Sequence, residues 1–105
     1  MKIKTSKLSG AALDWAVKKA IKKDGGYFLP SKNYKNISHS TNWAHGGPII
    51  EREGIALGQT GDGWEATCDG CIYISGPTLL IAAMRCYVAS KLGEEVGVPE
   101  EVCIV

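Results

Sequence analysis

Between residues 9 and 23 apolar side chains recur at helical spacing, with Leu13, Ala16, Val17, Ala20 and Ile21 on one face. Ser9 stands where an N-cap belongs, and Lys18, Lys19, Lys22 and Lys23 crowd the last turns before Asp24-Gly25-Gly26. A helix over residues 9–23 is predicted. Trp15 falls off the stripe, among Lys18, Lys19 and Lys22. It either packs on an N-terminal strand around Ile3 or offers an aromatic in a basic field, suited to a partner surface.

From residue 24 to 48 the periodicity disappears and Gly, Pro, Ser and Asn punctuate the chain. A long loop is expected there. It holds both histidines, His39 and His45, and four of the eight aromatics, Tyr27, Phe28, Tyr34 and Trp43. Disordered linkers are poor in aromatics, so an ordered binding loop is the expectation. Pro48 at the start and Gly54 beyond the end fit a short helix over residues 48–53. Strands over 55–59, 64–68 and 71–75 then make a meander across residues 55–75, with Asp69-Gly70 as a tight turn.

A second long helix is predicted over residues 77–92, with Gly76 as cap, Pro77 in its first turn and Gly93 as its stop. Leu80, Ile81, Met84, Tyr87, Val88 and Leu92 form one apolar side, and Leu79, Ala82, Cys86 and Ala89 the other. A helix apolar all round must be covered on two sides, as a central element or as one face of a homodimer. Arg85 at the margin calls for an acidic partner, Glu51 or Glu53, or for an anionic ligand. Residues 94–105 read as an acidic tail. The whole is an α+β domain, two main helices packed on a small antiparallel sheet, with a long aromatic-containing loop.

Composition narrows the class. With 105 residues, 45% hydrophobic and 22% charged, the chain reads as one globular domain. No apolar run is long enough to span a bilayer, and Met1–Thr5 has no apolar signal core, so a cytoplasmic setting with reduced thiols and no membrane partner is expected. The net charge of +1 hides a split. Residues 1–35 hold nine lysines against Asp14 and Asp24, whereas residues 36–105 hold Arg52, Arg85 and Lys91 against nine acids. Either the two ends attract one another in the fold, or the basic part faces an anionic partner.

At Trp43-Ala44-His45-Gly46-Gly47-Pro48-Ile49-Ile50-Glu51-Arg52-Glu53, and again from Gly76-Pro77-Thr78 through Met84-Arg85-Cys86-Tyr87 to Gly93, the chain resembles the NinX family of phage and prophage proteins. Met1–Thr5 and Leu13-Asp14-Trp15-Ala16-Val17 look like that family's start. The resemblance covers nearly the whole chain. It implies a small accessory protein made in a bacterial cytoplasm during phage growth, with no assigned reaction and no catalytic residues to transfer. The Cys68–Cys71 pair lies outside the family's pattern.

That pair has the spacing of half a zinc site, which Cys86 and Cys103, or His39 and His45, would have to complete. No second short ligand spacing exists, and a turn at Asp69-Gly70 makes the two cysteines mere cross-strand neighbours. No metal or cofactor is expected; a zinc-stabilised module on Cys68 and Cys71 is the weakest alternative. Gly46-Gly47 matches no P-loop, and Glu51 and Glu53 point apart on a helix, so no enzyme is expected. Two kinds of binding remain. A small anionic or nucleotide-like ligand would use Trp43 or Tyr34 for stacking, His45 beside them, the amides at Gly46 and Gly47, and Arg85 or Arg52 for charge. An adaptor would instead set Trp15, Lys18, Lys19 and Lys22 against a host protein or nucleic acid. Trp43 has a plain alternative as a plug that pins the loop to the core.

Overall fold

In the computed structural model, which describes residues 1–25, 38–68 and 72–102, helix α1 runs over Gly10–Lys23. It buries Leu13, Ala16, Val17, Ala20 and Ile21, the stripe its sequence predicts. Ser9 holds the N-cap position in extended backbone without a side-chain capping bond. At the other end the Asp24 amide donates to the Ala20 and Ile21 carbonyls.

Helix α2, Trp43–Glu53, corrects both the loop expected to residue 48 and the short helix expected over 48–53. Asn42 caps it, its side chain accepting from the Ala44 amide at 2.9 Å, and Gly54 ends it in the left-handed region at φ 62°. The buried face of α2 is Gly46 and Ile49. A glycine adds nothing to a hydrophobic pattern, so the first turns were invisible to periodicity. Pro48 sits inside the helix and has no amide to give the carbonyl of Ala44, an exposed residue. Of the remaining expected loop, residues 26–37 lie outside the described residues.

Strands β2 (Ala56–Gln59), β3 (Trp64–Cys68) and β4 (Ile72–Gly76) form the expected antiparallel meander, with Ala66 opposite both Leu57 and Ile74. Ala66, Cys68 and Ile74 point inward, while Glu65, Tyr73 and Ser75 face out. Helix α3 runs over Leu79–Leu92. Its N-cap is Thr78, which accepts from the Ile81 amide at 3.1 Å, so Pro77 precedes the helix and Gly76 belongs to β4. The Thr78 hydroxyl supplies the capping acceptor that Gly76 lacks.

Leu80, Ala82, Ala83, Met84, Cys86, Tyr87 and Val88 of α3 are all buried. The meander packs on this helix, and α1 and α2 pack on it as well. Both of its apolar sides are thus covered within the chain, and a second copy is not required for that purpose. Residues 95–102 are more than an acidic tail. Strand β5 (Glu95–Gly97) pairs antiparallel with β1 (Lys2–Lys4), setting Lys4 opposite Glu95 and Ile3 opposite Val96, and a 3-10 turn follows at Glu100–Val102. The basic start and the acidic end do meet.

Candidate functional site

Asp14 stands half-buried beside the α1 stripe, a position that apolar periodicity does not mark. Its carboxylate accepts from the Ser38 hydroxyl at 2.8 Å and from the Ser40 amide at 2.9 Å. A 2.6 Å contact between the Ser38 and Thr41 hydroxyls tightens the same turn. The turn is thereby fastened to α1 immediately before the Asn42 cap, and this fixes where α2 begins.

The fastening carries His39 into the core. The residue is fully buried, and neither ring nitrogen has a hydrogen-bond partner among the described residues. Its ring faces that of His45 at 6.1 Å between centroids, tilted by 58°; the buried Nδ1 of His45 is also without a partner. Burial above all, and then the neighbouring Lys18, pull the His39 pKa down to about 4, against a smaller opposing pull from Asp14. His39 is therefore neutral at neutral pH.

Gly46 closes the junction. A Cβ there would run into the His39 carbonyl and would stand 2.6 Å from Leu80 Cδ1. The end of the loop, the glycine pair and α3 do come together here, but their meeting point is filled by packing. The amides of His45 and Gly46 both donate to the Asn42 carbonyl, so they close the helix and offer nothing to an anion.

Trp43 is 55% exposed, which rules out the core plug. Its indole lies along its own helix, where a Cβ on Gly47 would sit 3.7 Å from Cε3. Trp15 is half-buried against the core, and the Lys19 ammonium lies 5.2 Å from its ring centroid. Lys22 is exposed on the same helix, and Lys18 half-buried.

The two arginines sit elsewhere. Arg85 donates from Nε to the Leu8 carbonyl at 2.7 Å and from Nη1 to the Ser75 carbonyl at 2.9 Å, and burial lowers its pKa. Neither Glu51 nor Glu53 is its partner. Five residues along α3 place Arg85 about 140° around the helix from Leu80, so it binds the segment before α1 and strand β4 to α3 instead of joining Gly46. Arg52 contacts Asp24 at 3.4 Å and Glu53 at 4.0 Å. Lys91 reaches Glu53 at 3.0 Å and Asp24 at 3.5 Å; its pKa is raised, chiefly by the bond to Glu53. The Tyr87 hydroxyl donates to Asp24 at 3.3 Å, and burial pushes its pKa up. These groups join the C-terminal ends of α1 and α2 to α3.

Tyr34, Cys71 and the Asp69-Gly70 turn lie outside the described residues. Cys68, at the end of β3, brings its sulfur 2.9 Å from that of Cys86 on α3. Among the described residues no group of three or more His, Cys, Asp or Glu is arranged to hold a metal ion. An open cleft of about 990 Å³ lies between Lys4–Ser6, the outward face of β4 at Tyr73, and Glu94–Glu95. None of the candidate site residues among the described ones lines it.

These residues define a small α+β protein whose described helices and meander enclose one apolar helix, with an aromatic exposed at the start of α2. A family model described as Bacteriophage P22, NinX matches residues 4–91, and the chain belongs to that family. It is a phage accessory protein. Comparison with curated proteins finds no match. No helix among the described residues is long and apolar enough to cross a membrane.

Proposed function

We propose that this phage accessory protein is a non-enzymatic adaptor that docks an acidic surface of a host protein in the bacterial cytoplasm. The exposure of Trp43 carries the reading. A large aromatic held on the first turn of a helix, outside the core, is the kind of side chain that anchors protein interfaces. The turn fastened to Asp14 brings that helix start to α1, whose Lys19 and Lys22 are exposed and whose Trp15 is half-buried. Exposed lysines on α1, Lys19 beside Trp15 among them, favour an acidic partner and speed its capture.

The small-anion reading loses its support in three places. The Gly46 amide closes a helix, Arg85 serves two carbonyls, and Arg52 sits among Asp24 and Glu53.

Trp43→Ala and a Lys18→Glu, Lys19→Glu, Lys22→Glu triple variant test the adaptor. With its side chain more than half exposed, truncation of Trp43 should cost less than about 1 kcal/mol of stability. The wild type should retain a host protein from cell extract that both variants lose while still folded. Equal retention by Trp43→Ala would overturn the reading. Salt-sensitive binding to random oligonucleotides, lost in the triple variant, would replace the protein partner with nucleic acid. A nucleotide that raises the melting temperature of the wild type alone would restore the small ligand.

A further inference from the structure

We infer that Cys68 and Cys86 form an oxidation site, at which a peroxide converts two thiols into a disulfide joining β3 to α3. Cys68 is the last residue of β3 and Cys86 lies in the second half of α3, eighteen positions on. Their sulfurs are 2.9 Å apart, so a bond of about 2.05 Å requires an approach of less than about 1 Å. Ala66 faces inward two residues earlier on the same strand, and β3 packs along α3. Strand and helix therefore hold the two sulfurs against one another.

Buried cysteines commonly serve as small apolar side chains, and Ala66, Ala82 and Ala83 fill that role around this pair. What distinguishes Cys68 and Cys86 is that each meets another thiol. Cys68 is 3% exposed and Cys86 fully buried, which excludes bulky oxidants and leaves a small one such as hydrogen peroxide. Cys68 reacts first: its sulfur forms a bond to one peroxide oxygen, the O–O bond breaks, and the departing hydroxide takes up the thiol proton as water. The Cys86 sulfur then attacks the sulfenic sulfur. The S–S bond forms, the S–O bond breaks, and the second hydroxide leaves as water with the Cys86 proton. Two thiols and one peroxide thus give one disulfide and two waters, the sulfurs oxidised and the peroxide reduced.

The test uses the full chain, reduced and then treated with stoichiometric hydrogen peroxide, first in native buffer and then in denaturant. In native buffer the intact mass should fall by two hydrogens, and the melting temperature should rise until dithiothreitol reverses both. Trypsin cleaves after Arg52, Arg85 and Lys91, so the expected link joins the peptide 53–85 to the peptide 86–91. Cys71→Ser should keep that link and Cys68→Ser should lose it. In Cys86→Ala, sulfenic acid on Cys68 should persist and be trapped by dimedone. A link into the peptide 92–105, a link that survives Cys68→Ser, or the same mixture of links in native and denatured protein would overturn the inference. Fragmentation of the linked wild-type peptide distinguishes Cys68 from Cys71 even where a variant fails to fold.

Discussion

His39 and Arg85 reach the interior by opposite routes. Arg85 keeps its charge by giving two of its donors to the Leu8 and Ser75 carbonyls. Its truncation would remove both bonds, so Arg85→Ala should lower stability by roughly 2–3 kcal/mol, and Arg85→Lys by less, in urea unfolding. A loss near zero would show that the two carbonyls find water. His39 has no such partners and stays neutral. Its pKa is about 4 in the fold against 6.5 in the unfolded chain, so below pH 6.5 the unfolded chain takes up a proton that the native one resists. The stability present above pH 6.5 should fall by about 3 kcal/mol on the way to pH 4 and then level off. His39→Phe should flatten that part of the profile, whereas an identical pH profile in the variant would refute the assignment.

At the scale of elements, Gly46 decides how α2 lies on α3. Gly46→Ala should cost roughly 1–3 kcal/mol, since the new methyl meets a backbone carbonyl that cannot turn aside. Thermal unfolding measures it, and a variant as stable as wild type would mean that α2 rides loosely on Leu80. The same residue marks the limit of what the sequence discloses. Helix α1, the three strands and α3 were legible because each writes its burial in apolar side chains at a fixed period. Helix α2 writes half of its burial as the absence of a side chain, and Gly-Gly-Pro reads as a break. Trp43 was legible as a candidate, but its exposure follows from the helix that the pattern concealed. Asp14 left only the faint signal of a charge beside a stripe, because its partners lie more than twenty residues away. Arg85 was expected to meet an acidic partner or an anionic ligand, and it bonds two carbonyls instead, acceptors that have no signature in the sequence of side chains.

For the molecule as a whole, α3 is the organising element, packed against by the meander, α1 and α2. Its amides should exchange with solvent only through global unfolding, more slowly than those of β1 and β5, whose two-stranded sheet covers less apolar surface. Exchange in α3 as fast as in that ribbon would mean that the core is centred elsewhere. The position of α3 along the chain has a consequence for biosynthesis. A ribosome makes α1, α2 and the meander before it makes the helix on which all three rest. Until residue 92 has left the exit tunnel, Leu13, Val17, Ile21 and Ile49 have no apolar surface to close upon. The nascent chain thus stays unfolded through most of its synthesis and then folds in one late step, with its apolar stripes in the care of whatever waits at the tunnel mouth.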